Sequence, residues 1–525
     1  MSYRNHRIYG PQFKGICLAL LAIAGWFASQ GVFPPLAASA AEANAIEAAL
    51  RSISAEQLQQ CVNMLADDAF EGREAGSRGG RAACAYLGGE LQKRHVLGAG
   101  VDGGLYQDFG VGSRNILGRL PGSDPQLKDH YVIISAHYDH VGYGKPNNSF
   151  GPIGHIHKGA DDNASGVAGL LAIIDAFNKL PEHPKRSLLF AFWDGEEQGL
   201  LGSKHWLSNP TVPLDHVAVA LNMDMIGRLR KEKVEVYGTR TSYGLRRLVA
   251  QENEGSNLLL DFHWEMRADS DHYPFYEKHV PVMMLHTGLH SDYHRPSDTA
   301  DKVNAAGMRE VAQLAFRTAL DLAEADSVAR FRDRSRQESA ATQTEIERPL
   351  APLPGRLGVQ WDDAAEKDRG LLIAEIVPGS PAAKAGLRAG DRIIKFAGHD
   401  LATGKEFRSL ALGATSPAVV VVERAGNEKP LELRAELIGE PIRVGISWSS
   451  DDAEPRSVIV LRVVPDSPAD RAGIKVDDRI EQVNGKDFGS SDEFDHLLST
   501  EQSPLEMSVE SRGQIRHVRV DMPAA

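Results

Sequence analysis

Tyr131-Val132-Ile133-Ile134-Ser135-Ala136 runs directly into His137-Tyr138-Asp139, and the reading of that junction decides the fold. A short, nearly unbroken apolar run suits a strand buried on both faces of a sheet. Three more such runs follow, from Ser187 to Trp193, Val217 to Asn222 and Val280 to Leu285. Between and after them, Ala164 to Lys179, Leu200 to Ser208, Tyr243 to Glu252 and Asn304 to Ala323 read as helices. Buried strands alternating with helices give an α/β sandwich built on a mixed, largely parallel sheet. Upstream, Ala45 to Leu50, Ala55 to Asp68 and Arg78 to Arg94 read as helices that pack on this later core, with a break at Glu71-Gly72-Arg73.

Ligands of α/β sheets gather outside the carboxyl ends of the strands, so the residues that follow each run matter most. The first ends in His137-Tyr138-Asp139, the second in Asp194-Gly195-Glu196-Glu197, and the third reaches Asp224. Between the first two, Gly159-Ala160-Asp161-Asp162-Asn163-Ala164-Ser165-Gly166 places paired acids before a helix. One acid there has a capping explanation, because helix N-termini favour anions; the pair, with a histidine and a Glu-Glu step nearby, does not. A histidine among several carboxylates suits Zn²⁺, and more carboxylates than one ion needs suggest two ions sharing a bridging ligand. The chemistry is then metal-assisted hydrolysis, with one of Glu196 and Glu197 as ligand and the other as base. The ligands do not exclude manganese or cobalt.

These stretches, together with Leu221-Asn222-Met223-Asp224-Met225-Ile226-Gly227 and Asp292-Tyr293-His294-Arg295-Pro296-Ser297-Asp298-Thr299, resemble the co-catalytic zinc peptidase family of bacterial leucyl aminopeptidases and glutamate carboxypeptidases, over about residues 50 to 325. The resemblance implies two Zn²⁺ per chain. Asp162 bridges them, His137 and Asp224 complete one shell, and Glu197 and His294 complete the other. It also implies Glu196 as general base, Asp139 as the residue that holds His137, and a cis peptide between Asp162 and Asn163. Tyr293 is either an oxyanion donor or a packing residue. His155, His157, His286 and His290 stand outside the family's motifs, and Ser270-Asp271-His272 resembles a stretch near its substrate pocket. Glutaminyl cyclases of the group use one zinc, whereas every ligand for two is kept here. A cationic cluster for a carboxypeptidase is not evident.

Downstream, Ile376-Val377-Pro378-Gly379-Ser380-Pro381-Ala382-Ala383-Lys384-Ala385-Gly386-Leu387 recurs as Val463-Val464-Pro465-Asp466-Ser467-Pro468-Ala469-Asp470-Arg471-Ala472-Gly473-Ile474. Gly390-Asp391-Arg392-Ile393 recurs as Asp477-Asp478-Arg479-Ile480. A spacing this long marks two copies of a small domain rather than a solenoid. Both copies resemble PDZ domains of bacterial periplasmic proteases, which implies that Leu357-Gly358-Val359 and Val444-Gly445-Ile446 begin grooves for peptide C-termini. The expected division is a signal peptide at 1–40, a peptidase domain at 41–325, a linker at 326–352, and PDZ domains at 353–437 and 440–523.

The leader is read from basic Arg4, Arg7 and Lys14, an apolar run from Ile16 to Ala28, and Ala37-Ala38-Ser39-Ala40. The run is shorter than the roughly 20 residues of a membrane span. Cleavage would take the formal net charge from -13 to -16, which excludes nucleic acid as a natural partner. Two cysteines would remain, Cys61 and Cys84, as a disulfide or as buried thiols. At 525 residues the chain exceeds what one core supports. The sequence therefore reads as an exported di-zinc aminopeptidase, periplasmic or secreted, with no membrane association once mature, acting on peptides with free N-termini and carrying PDZ domains for peptide C-termini. The alternatives are a carboxypeptidase or dipeptidase on the same scaffold, or a PDZ-based binding protein with a relic metal domain.

Overall fold

A computed structural model describes residues 40–353, 355–361 and 370–522. The leader expected at 1–40 falls, but for its last residue, outside the described residues. The first part of the chain forms a nine-stranded sheet: β1 (Leu97–Gly98), β2 (Tyr106–Phe109), β3 (Ser113–Leu120), β4 (Tyr131–His137), β5 (Ser187–Trp193), β6 (Val217–Met223), β7 (Lys233–Tyr237), β8 (Leu259–Phe262) and β9 (Val282–His286). The spatial order is β1-β3-β5-β4-β6-β9-β7-β8, with β2 on β3. The central strands β5, β4, β6 and β9 are mutually parallel, and β3 and β7 flank them antiparallel. The expected mixed, largely parallel sheet is thus present, with β7 and β8 as an extension that the apolar runs did not signal.

Helices cover both faces. They are α1 (Ala40–Ser52), α2 (Ala55–Leu65), α3 (Arg78–Lys93), α4 (Gly166–Phe177), α5 (Leu201–Ser208), α6 (Leu245–Glu252), α7 (His272–Glu277) and α8 (Ala305–Glu324). Alternation along β4 divides the core: Val132, Ile134 and Ala136 join the large cluster with α1 to α4 and α8, while Tyr131 and Ile133 join Trp206 of α5 and Phe275 of α7. Helix α4 is apolar almost all round, as suits an element buried between α2, α8 and the sheet. Ser54, Ser77 and Asn304 cap α2, α3 and α8 by accepting backbone N–H bonds of the first turn. Among the described residues no helix is long and apolar enough to cross a membrane.

Cys61 and Cys84 are free thiols on α2 and α3, not a disulfide. Burial pushes Cys61 up to about 12 and Cys84 up to about 11, so neither is a nucleophile near neutrality. Both should resist a thiol reagent in the native protein and react at once in denaturant. Fewer than two reactive thiols from these positions after unfolding would contradict this.

Two antiparallel sheets follow, over Val359–Trp361 to Leu431–Ala435 and over Ile446–Ser450 to Gln514–Val520. Each has its own apolar core. Residues 326–352 carry more structure than their composition suggests. Arg332 is buried and pairs with Glu338, and Ala340–Ile346 is a short helix.

The second small domain is seated on the α/β domain. Ala453 O accepts from Gly244 N at 2.9 Å, and Arg512 O accepts from Leu260 N at 2.7 Å. Gly513 (φ +76°) lies so close to Leu260 that a Cβ would fall 2.3 Å from its Cγ. Charge completes the seat. Asp451 accepts from Arg240 at 2.7 and 2.9 Å and from Arg479 at 3.2 Å, Arg246 reaches Glu510 at 2.9 Å, and Arg247 reaches Asp487 at 2.7 Å.

Candidate metal centre

Four neighbouring parallel strands deliver their ends to one rim. β4 closes on His137, β5 leads through Asp194-Gly195 to Glu196 and Glu197, β6 leads to Asp224, and the loop after β9 returns His294. Asp162 enters from the turn that opens α4, where a cis peptide joins it to Asn163 as expected. Asn163 fixes that turn: its side chain donates to Met223 O at 3.0 Å and accepts from Gly166 N and Met225 N.

Asp162 stands between two groups of donors. Its Oδ1 is 3.4 Å from His137 Nε2, which is 3.3 Å from Asp224 Oδ1. Its Oδ2 is 3.1 Å from His294 Nε2, which is 3.0 Å from Glu197 Oε2. All five expected ligands therefore meet, and in the expected halves. A sixth residue joins them: His140 Nδ1 lies 2.7 Å from Glu197 Oε1. The sequence reading passed over His140; the only signal was its place three residues after His137.

The surroundings orient these groups. Ser270 donates to Asp224 Oδ2 at 2.6 Å, and Asp298 Oδ2 accepts the N–H of Asp161 and Asp162 at 2.9 and 3.1 Å. Asp139 does more than stand beside His137. Its carboxylate lies 3.7 Å from His137 Nδ1, yet accepts the N–H of Glu196 at 3.0 Å and of Glu197 at 3.3 Å, tying the β5 turn to β4. Beneath lies Arg73, wholly buried and also missed, which donates to the carbonyls of Tyr138, Leu65, Lys158 and Gly159. It is a fixed cation under an acidic cluster.

The electrostatics separate the two glutamates. Burial pushes the Glu196 carboxyl well above its usual range. Burial also acts on Glu197, but hydrogen bonds from His140 and His294 outweigh it and hold that carboxyl low. Two adjacent carboxylates pushed apart in this way can serve as acid-base group and as ligand. Tyr293 stacks on His294, centroids 3.9 Å apart, and faces the same cavity of about 130 Å³. The other histidines belong to neither donor group, although His286 lines the same cavity. His157 bonds to Ser149, His290 to Asp161, and His286 stands 3.7 Å from Glu235. His272 of the Ser270-Asp271-His272 stretch is buried with neither ring nitrogen bonded.

The donor set fits divalent cations. Within each group the donor atoms lie within 4.8 Å of one another, and Asp162 Oδ2 is buried without a hydrogen-bond partner. Buried carboxylates outnumber the cation beneath them, a balance that bound metal restores.

Curated relatives include leupeptin-inactivating enzyme 1 of Streptomyces exfoliatus, 28% identical over 285 residues, which are 54% of this chain and 59% of that protein. Leucine aminopeptidase 1 of Trichophyton rubrum is 26% identical over 223 residues, 41% of this chain and 55% of that one. The chain thus spans between half and three-fifths of the length of these relatives. Among solved structures, Legionella LapA aligns with a TM-score of 0.45 at 18% identity, covering 54% of this chain and 76% of that one. A zinc aminopeptidase of Bacillus subtilis aligns with a TM-score of 0.42 at 15% identity, covering 54% and 98%. The profile of peptidase family M28 matches residues 115–319, and that of the PDZ domain matches 372–424 and again 459–511. The candidate metal centre therefore lies within the stretch that the peptidase family M28 profile matches, ahead of two stretches that the PDZ profile matches.

Proposed function

We propose that the protein is an exported aminopeptidase that binds two Zn²⁺, one among His137, Asp162 and Asp224 and one among Asp162, Glu197 and His294. The observation that carries this reading is that Asp162 presents one carboxylate oxygen to each group while Glu196, in neither group, faces the same cavity. Bound zinc supplies Lewis acidity, polarising a peptide carbonyl and raising the acidity of water. Glu196 takes the proton of the attacking water and returns it to the leaving amine; its raised proton affinity suits both transfers. Tyr293 donates to the oxyanion. The surplus of carboxylates at the rim attracts the protonated α-amine of a substrate. The relatives named for leucine aminopeptidase activity support the same reading.

One observation favours a carboxypeptidase or dipeptidase instead: Arg267, exposed at the mouth of the cavity, offers a cation for a free carboxylate. Paired peptides, free and N-acetylated, separate the two. The aminopeptidase reading expects hydrolysis of the free series and at least 10²-fold slower hydrolysis of the acetylated one, as loss of a charged contact in a dry site predicts. Equal rates would sink it.

Export rests on the leader-like layout of residues 1–40, with the periplasm or the medium as destination. The first PDZ domain retains an open groove of about 470 Å³ between Leu357-Gly358-Val359 and Phe407, walled on its far side by Val463 to Pro465 of the second. We assign peptide C-termini to that groove and a docking role to the second PDZ domain.

A further inference from the structure

The two donor groups differ in number and in access. His137, Asp162 and Asp224 make a group of three, and His140, Asp162, Glu197 and His294 a group of four. Around the second, His140 Nδ1 is 2.7 Å from Glu197 Oε1 and 3.6 Å from Asp162 Oδ2, while His294 Nε2 is 3.0 and 3.1 Å from the other oxygen of Glu197 and from Asp162 Oδ2. Donors bound to one zinc at roughly 2.0 to 2.2 Å stand about 3.3 to 3.6 Å from each other in a tetrahedral shell, so these separations need only a small expansion to describe a single shell. The His140 ring is 1% exposed and seated on Gly159, where a Cβ would come 2.5 Å from its Cδ2. Only glycine at 159 leaves the ring this place.

The cavity is lined by all three members of the first group and by Glu196, but from the second group only by the shared Asp162 and by His294. His140 and Glu197 stand behind that lining.

We propose that His140 is a fourth protein ligand, which closes the Glu197 side into a tight structural zinc site and leaves the open coordination position, where substrate arrives, on the His137 side. Four protein ligands make a closed zinc site and three leave room for water or substrate. The inference rests on the proposal that both groups hold zinc. It makes the two ions unequal in affinity.

The test counts zinc per chain after dialysis of the loaded full-length mature protein against graded chelator. The wild type should release zinc in two steps at least about 10–100-fold apart in free zinc, and in H140S the steps should merge as the tighter one weakens by a comparable factor. Cobalt provides a second readout that needs no variant: the first equivalent added to the metal-free wild type should give the strong visible absorption of a closed four-coordinate site. H140Q should alter that first spectrum and spare the second. Two ions leaving the wild type in one step, or an H140S profile and spectrum identical to the wild type, would overturn the inference and leave the aminopeptidase proposal standing. A protein that takes up no zinc would overturn both.

Discussion

Replacing Glu196 by alanine should lower kcat by about 10² to 10⁴ while leaving the zinc content unchanged, the range that a positioned general base contributes. The magnitude follows from where the side chain sits. Glu196 faces the cavity with His137 and Asp224 but belongs to neither donor group, so its removal takes away proton transfer and no ligand. Its backbone N–H is held by Asp139 Oδ1 at 3.0 Å, so the variant keeps the turn that aims Glu197. KM should change little, because the lost interaction belongs to the transition state. The measurement is steady-state hydrolysis of a free-amine peptide, with zinc per chain determined on the same samples. E196Q should be as slow as E196A, since an amide has the shape of the base and none of its basicity. A tenfold loss or less in both would remove Glu196 from the proton path, and a loss of zinc in either would make it a ligand.

The second large effect concerns the seat of the last domain. Asp451→Ala should cost about 1.5–3 kcal/mol, the range for losing buried hydrogen bonds to charged groups whose cations each keep one other carboxylate. Arg240 and Arg479 both point at that one carboxylate, and their side chains are 9% and 2% exposed. Burial alone would push the Asp451 carboxyl up, yet Arg479 and Arg240 outweigh it and hold it well below the usual range. Glu338 remains on Arg240 at 2.6 Å and Glu347 on Arg479 at 3.0 Å, so the loss should fall on docking more than on either fold. Urea denaturation should therefore show an early transition, assigned by limited proteolysis to release of the second PDZ domain, with the peptidase transition little moved. An unchanged denaturation profile would show that the seat depends on its backbone contacts and not on charge.

Much of the metal domain was legible because its information is local. The runs ending at Ala136, Trp193 and Asn222 announce strands through their own apolar composition, and the donors His137, Glu197 and Asp224 follow within a few residues of those ends. The duplicated Ser-Pro-Ala turns were equally plain. Less visible were contacts set by tertiary approach. His140 faces Glu197 across 57 positions, and no spacing rule connects them. Arg73 reads as part of a loop break, although its guanidinium becomes the buried cation under the site. Strands β7 and β8 were missed because Lys233, Glu235 and Asp261 interrupt their apolar residues, as an edge of the sheet permits. The docking of the second PDZ domain was invisible for a related reason. Its arginines and acids look like ordinary surface charge until the fold places them against each other.

That docking also sets an order of events in the life of each new chain. Arg240 and Asp451 are 211 positions apart, so whichever exit the polypeptide leaves N-terminus first, the peptidase domain appears well before the partner that covers it. At about 5–20 residues per second of synthesis the interval is roughly 10–40 s, ample for the first domain to fold. Glu338 arrives about halfway through, 98 positions after Arg240, and can hold the guanidinium until Asp451 joins it there. A chain cut short after the first PDZ domain would keep that temporary arrangement for good, with the surface around Leu260 left uncovered and open to wrong company.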